Sequence, residues 1–281
     1  MSIQAEDEHP FISPHDRTGF QPRHIMFDIN GGLVPLPNGG NVTIWRYVGF
    51  AQFVSLLETQ CLHFSRPDQF SDPFEGTVPR RLFEKLAKKY RDSNSVLGKC
   101  PTFSHDMFAM LTCVSCWHVS DHESDAMWKL YCKSGDGIAI RSSYKRLDEC
   151  FNNNRSLQID VGMVKYINFE EENLDDEEGF STVFIKRNHF EHERELRAIV
   201  YPVSDDDDEE IVDLDAPTGS AFPTGRDIPV NLDTLIESVY VSPFGQGTFL
   251  SLVQSVVKRY GQKFPIYHSE MAKLPPAARK V

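Results

Sequence analysis

Apolar and polar positions alternate from Thr43 to Val48, TIWRYV, in a stretch rich in β-branched and aromatic residues, which predicts a strand. From Phe50 to Glu58 the apolar spacing changes to that of an amphipathic helix, and Leu62 to Ser65 reads as a second strand. A turn-rich segment, residues 66–76, follows. In it Pro73 biases Asp72 away from helix, and Gly76 permits a backbone path that other residues resist. A polar loop held between regular elements is a common place for ligand contacts.

Farther along, Pro79 to Asp92 is spaced as a helix with a solvated basic face, Lys88, Lys89 and Arg91. The apolar run Met110 to Trp117 reads as a buried strand. Ser120 and Glu123 have the spacing of a capping box ahead of a helix in which Met127, Leu130 and Tyr131 share a face, with Trp128 read as packing. Gly135-Asp136-Gly137 is a turn into a strand over Ile138–Arg141, Tyr144–Phe151 is a helix, and Asp160–Ile167 is a strand. In a strand beginning at Glu195, the side chains of Glu195, Arg197, Ile199 and Tyr201 share one face. The chain closes with a strand over Leu235–Ser242, a helix over Phe249–Tyr260 and a short strand over Phe264–Tyr267.

Strands and helices in this order predict one α+β domain over 42–270, with a mixed or split β-sheet flanked by helices. The Gly-, Pro- and Asn-rich residues 1–41 read as a flexible arm with a short strand near Ile25–Ile29, and 271–281 as a fraying tail. The acidic segments 170–178 and 205–210 read as hydrated loops.

Composition narrows the function. A net charge of −12 disfavours a broad phosphate-binding surface for DNA, although a local basic pocket is compatible with it. Six cysteines in 281 residues are too sparse for a disulfide framework, and the N-terminus lacks an apolar signal core, so a soluble cytoplasmic protein with no membrane partner is expected. No metal is expected. Cys113 and Cys116 lack a second ligand pair and, three apart on a strand, face opposite ways; His189 and His192 lack the remaining ligands.

The segments Trp45-Arg46-Tyr47, Leu56-Leu57, Leu62-His63-Phe64-Ser65, Phe70-Ser71-Asp72-Pro73-Phe74-Glu75, Met127-Trp128 with Leu130-Tyr131, Gly137-Ile138-Ala139-Ile140 and Glu193-Arg194-Glu195-Leu196-Arg197 resemble the bacterial family catalogued as domain of unknown function 2971. The resemblance runs over about residues 43 to 201. The leading strand, helix and strand with an Arg-Tyr pair, and the later Glu-x-Glu, are also remotely similar to ADP-ribosyltransferases.

That similarity implies NAD as a substrate and an acceptor that is a protein or a nucleic acid. It casts Glu195 as the carboxylate that stabilises positive charge on the departing ribose, and Glu193 as the group that orients the acceptor. Arg46 becomes the phosphate or ribose clamp, favoured over its neighbour Tyr47, a nicotinamide-stacking group, because adjacent strand residues alternate in direction. Ser65, Asp72 and Glu75 line the same hollow. No Ser-Thr-Ser triplet is present.

The scheme requires Arg46 and Glu195 to face one cleft, and their emergence on opposite sides of the sheet would remove it. Two other readings are compatible with the sequence. One is a non-catalytic module that binds a nucleotide or a protein and keeps Arg46, Phe70 and the Asp72-Pro73-Phe74 loop. The other is a phosphodiester-cleaving enzyme built on His189, His192 and Glu195. A structural Glu195–Arg197 ion pair is the non-functional alternative for the late strand.

Overall fold

The structure is a computed structural model that describes residues 26–27, 33–34, 42–132, 135–151, 159–174, 181–200, 223–245, 247–273 and 275. In chain order the strands are β1 (Met26–Phe27), β2 (Leu33–Val34), β3 (Thr43–Gly49), β4 (Cys61–Ser65), β5 (Cys113–Val119), β6 (Gly137–Ser143), β7 (Ile159–Met163), β8 (Lys165–Ile167), β9 (Ile185–Arg187), β10 (Glu195–Val200), β11 (Gly225–Pro229), β12 (Ser238–Val241) and β13 (Ile266–His268). The helices are α1 (Phe50–Thr59), α2 (Arg80–Lys89), α3 (Val96–Lys99), α4 (Phe103–Leu111), α5 (Asp125–Tyr131), α6 (Tyr144–Glu149), α7 (Leu232–Leu235) and α8 (Gly247–Arg259). The architecture is α+β: a mixed, mostly antiparallel sheet flanked by helices.

Among the described residues the main sheet runs β13-β12-β6-β3-β5-β10-β7-β1-β2, with β4 beside β5 and β11 beside β4. Strands β8 and β9 form a separate parallel pair. The main sheet is forked at its middle. Strand β3 pairs along its whole length with β6, yet with β5 only at Ile44↔Val119 and Trp45↔His118. The other end of β5 meets β4 at Ser65↔Val114. Beyond Trp45, therefore, β3 leaves β5, and α1 carries the chain across to β4.

Both faces of the sheet are covered, each by a different set of side chains. On one face Ile44, Ile140, Trp117, Leu196, Ala198 and Val239 pack against Phe53, Leu56 and Leu57 of α1 and Val253 and Val257 of α8. Burying each of these large apolar side chains contributes about 1.5–3 kcal/mol, which outweighs the weak intrinsic stability of a helix as short as α1. On the other face Trp45, Tyr47 and Ala139 are covered by Met127 and Trp128 of α5. Farther along that same face, Val114 and Ile199 are covered by Val183 and Phe184.

Several elements differ from the sequence reading. Residues Met110 and Leu111 close α4 instead of opening a strand, and β5 runs on to Val119. The N-cap of α5 is Ser124, whose hydroxyl accepts from Met127 N at 3.4 Å, so Ser120 and Glu123 form no capping box. Within α5, Met127 and Trp128 are buried whereas Leu130 and Tyr131 are exposed. Residues 160–167 divide between β7 in the main sheet and β8 in the small one, and β11 was not anticipated. The expected strand at 25–29 appears as β1. Residue Tyr201 and the acidic run 205–210 lie outside the described residues, as do nearly all of the arm and most of the tail.

Candidate functional site

The face of β10 that carries Glu195 is fixed by register. Glu195 stands opposite His118 of β5, Arg197 opposite Cys116, and Ile199 opposite Val114, so these side chains share one surface as alternation predicts. Cys113, opposite Val200, points the other way, in agreement with the expectation that the two cysteines of β5 diverge. Trp45 also pairs with His118, which puts Trp45 and Tyr47 on the Glu195 face and Arg46 on the reverse.

The side-chain contacts confirm that division. Arg46 donates through Nη1 to Ser115 Oγ and through Nη2 to the His63 carbonyl at 3.0 Å, with its guanidinium 5.8 Å from the Trp117 ring. It bridges β5 and β4 inside the fork, where the diverging strands cannot satisfy those groups themselves. Arg46 and Glu195 thus face opposite sides of the sheet, and the clamp expected from the sequence is corrected. Tyr47, which does share the Glu195 face, is not free to stack on a ligand: its ring packs edge-on to Trp128 at 5.0 Å, and its hydroxyl accepts from Ser124 N at 2.9 Å.

Around Glu195 the structure assembles five buried charges. Lys186 Nζ lies 2.6 Å from Glu193 Oε2, 2.6 Å from Glu195 Oε1 and 3.1 Å from Glu75 Oε1. Arg197 donates from Nε to Glu195 Oε2 at 2.8 Å and from Nη1 to the Val183 carbonyl at 2.7 Å; its Nη2 lies 2.9 Å from Glu75 Oε2. Gly162 faces Arg197 across β7, and its lack of a side chain lets the Phe184 ring lie where a Cβ would come within 2.8 Å. Strand β9 brings in Lys186, and Arg194, held at φ 41°, turns the backbone so that Glu193 and Glu195 both reach that one ammonium. A non-glycine residue in the left-handed region is strained, and such strain concentrates at functional sites.

Three carboxylates face two cations, so the cluster has one negative charge too many if all are ionised. The excess is relieved at Glu193. Burial, reinforced by a hydrogen bond with Glu195, pushes its carboxyl up to about 7. Burial acts on Glu195 in the same direction, but Arg197, the contact with Glu193 and Lys186 outweigh it and hold Glu195 well below the usual carboxylate range. Two neighbouring carboxyls with pKa values driven apart are the arrangement by which sites divide acid and base roles. The Tyr131 hydroxyl, at the sheltered end of a half-exposed side chain, belongs to the same neighbourhood: loss of water around it, then Glu193, Cys116 and Glu195, push it up.

The 66–76 loop closes one side. Asp72 accepts from the Phe74 amide at 3.1 Å and from Arg187 Nη2 at 2.7 Å, and Arg187 lies 4.4 Å over the Phe74 ring. Gly76 has φ 73°, and a Cβ there would come within 2.9 Å of the Ala109 Cβ, which accounts for the glycine anticipated at that turn. Ser65 shares the Glu195 face through its pairing with Val114. Of the sequence-predicted residues, Glu193, Glu195 and Glu75 meet directly at Lys186. Asp72 is held by Arg187, the residue after Lys186 in the chain, Ser65 and Tyr47 lie on the same face as Glu195, and Arg46 leaves the group. Replacing Arg187 by Met is expected to loosen the loop at a cost of about 1–2 kcal/mol, read as faster hydrogen exchange at the Phe74 amide.

Lys186 is the member that sequence reasoning missed. It was visible only as one charge among several before Glu193, and the pairing of β8 with β9 that positions it leaves no local signature. His189 and His192 are exposed on the turn, whereas Glu195 is buried. Among the described residues no group of acids, histidines and cysteines is placed to hold a metal ion. No described helix is long and apolar enough to cross a membrane.

Residues 127–198 match the model of the family described as "Protein of unknown function (DUF2971)". That span covers most of α5, all of α6, strands β6 to β9, most of β10 and the Lys186–Glu193–Glu195 cluster. No curated protein matches. Among solved structures the chain is similar to DarT of Thermus sp. 2.9. With the NAD+ complex the identity is 10%, the likeness covers 85% of this chain and 99% of that one, and the TM-score is 0.38. With the ADP-ribosylated ssDNA complex the values are 10%, 82%, 94% and 0.36, and with the carba-NAD+ complex 11%, 84%, 97% and 0.37. At that distance the functional reading rests on this chain's own residues.

Proposed function

We propose that the chain is an ADP-ribosyltransferase-like enzyme that uses NAD as substrate, with the Glu193–Glu195 pair as its centre. The observation that carries the reading is the meeting of two adjacent buried carboxyls on one ammonium, Glu193 Oε2 and Glu195 Oε1 each 2.6 Å from Lys186 Nζ, with burial raising the Glu193 carboxyl while Arg197 helps to hold Glu195 low. Cleaving the bond between nicotinamide and ribose builds positive charge on the sugar, and a fixed, ionised carboxylate in a water-poor site stabilises that charge strongly. Glu195 takes that role and Glu193 orients the acceptor. With Arg46 inside the fork on the reverse face, the shared Arg46–Glu195 cleft that the sequence reading required is not formed, so only the Glu193–Glu195 half of that scheme is kept, with no phosphate clamp from β3. The acceptor is a protein or a nucleic acid; the net charge of −12 disfavours a broad DNA-binding surface.

A second reading is favoured by one specific observation. Both oxygens of Glu195 are already engaged by Lys186 and Arg197, so the ion pair set out as the non-functional alternative does exist. In that reading the chain is a non-catalytic module that binds a nucleotide or a protein, and the buried cluster is structural.

Incubating the purified chain with labelled NAD, with and without cell lysate, separates the two. The first reading expects transfer or hydrolysis by wild type, and a fall of about 10²–10³-fold in Glu195→Gln with its melting transition preserved. Absence of turnover in wild type, with NAD or a protein still retained, selects the second.

A further inference from the structure

His118 is a buried histidine to which neither reading assigns a role, and its surroundings fix its chemistry. It lies on β5 directly opposite Glu195, and facing side chains on antiparallel strands have Cβ atoms about 5 Å apart. Its Nδ1 is 2.6 Å from the carbonyl oxygen of Glu193. A carbonyl only accepts, so Nδ1 carries the hydrogen and donates it, leaving the lone pair on Nε2. Among the described residues no group hydrogen-bonds Nε2, so its lone pair is unengaged although the residue is only 5% exposed.

The titratable and charged groups around the ring are Tyr47 from β3, 6.4 Å away and edge-on, Glu195 from β10, and His192, Glu193 and Arg194 from the turn that precedes β10. Burial holds the imidazole below its ordinary pKa against the opposing Glu193 hydrogen bond, with Arg194 and His192 adding to the lowering. The ring is therefore neutral at pH 7, with one nitrogen anchored and the other a free acceptor. These are the attributes of a general base.

We infer that His118, through Nε2, takes the proton of the acceptor during transfer; the inference rests on the ADP-ribosyltransferase-like reading above. In the step, an acceptor X–H attacks C1′ of the ribose and forms the X–C1′ bond. The C1′–nitrogen bond breaks with its electron pair going to the nicotinamide nitrogen, which leaves uncharged. The proton of X–H passes to Nε2 and from there to solvent. Glu195 faces the charge on the sugar throughout, and the backbone of Glu193 holds the imidazole in its tautomer, which couples the base to the residue that orients the acceptor.

The test uses the full chain with labelled NAD, water and cell lysate serving as sources of acceptor. His118→Gln is expected to lower turnover by about 10²-fold or more while the NAD concentration for half-maximal rate changes little. Imidazole added to His118→Ala is expected to restore turnover about tenfold or more, with no such gain in Glu195→Gln; a merely structural histidine gives no rescue. Turnover in a folded His118→Gln within about threefold of wild type, or a folded but inactive His118→Ala that imidazole leaves inactive, overturns the assignment of His118 alone. Absence of turnover in wild type overturns the functional reading and this inference with it, so the two failures are told apart by the wild-type result.

Discussion

Replacing Lys186 by Met is expected to destabilise the protein by about 3–5 kcal/mol at neutral pH, the usual cost of removing one partner from a buried ion pair. Lys186 contacts Glu75, Glu193 and Glu195 at 3.1 Å or less, and its side chain is 9% exposed. Without it, three carboxylates face Arg197 alone in a place where water cannot screen them. Methionine fills most of the volume of lysine, so the loss reports charge more than packing. The deficit is expected to shrink as pH falls toward 5, because protonated carboxyls no longer need the missing cation. Glu193→Gln is expected to stabilise the Lys186→Met protein by about 1 kcal/mol or more beyond its effect in wild type, a coupling that non-interacting sites would not show. The same substitution at Lys129, whose pairing with Asp125 at 2.6 Å is surface-exposed on both sides, is expected to change stability by less than about 1 kcal/mol. Urea denaturation of wild type, Lys186→Met, Glu193→Gln, the double variant and Lys129→Met at pH 7 and pH 5 checks each of these values, and equal losses at the two positions would mean that the cluster carries no special electrostatic weight.

The parts of this site that could be read from sequence are those that local rules determine. Alternation along Glu195-Leu196-Arg197-Ala198-Ile199 correctly put Glu195 and Arg197 on one surface, and Gly76 announced a left-handed turn. The choice between Arg46 and Tyr47 failed for a physical reason. Alternation says that neighbours diverge, but it says which one faces the site only when one side of the sheet is wet. Here α1 and α8 cover one face and α5 covers the other, so buried aromatic and aliphatic residues line both sides of β3. Arg46 then serves the fork, a tertiary feature created where β3 and β5 part company after two paired positions. Strand β11, Gly225-Arg226-Asp227-Ile228-Pro229, was equally hidden: it has a single deeply buried apolar residue, Ile228, and forms only because β4 offers it an edge. His118 was overlooked because the apolar run seemed to finish at Trp117.

The second large effect is a pH dependence centred on Glu193. Its folded-state pKa of about 7 lies above the ordinary 4.5, so the folded chain holds a proton that the unfolded chain releases. The stabilisation from this group is complete below pH 4.5 and is lost as pH rises through 7. A difference of this size corresponds to about 3 kcal/mol across the window. Glu195 has the opposite sign: its stabilisation is present above the ordinary value and disappears as pH falls toward its depressed folded pKa. His118, lowered by burial, adds stability as pH rises toward its ordinary 6.5 and so partly masks the Glu193 slope in wild type. Glu193→Gln removes the mask problem, because glutamine imitates the protonated acid while every other group is retained. The variant and wild type are therefore expected to agree within about 1 kcal/mol at pH 4.5, and the variant to be more stable by about 2–3 kcal/mol at pH 8. Urea midpoints taken from pH 4.5 to 8 give the difference curve directly. A flat difference would show that Glu193 titrates in the folded chain as it does in the unfolded one, which would leave the cluster with its full negative charge at neutral pH and deprive the split-protonation argument of its proton-exchanging member.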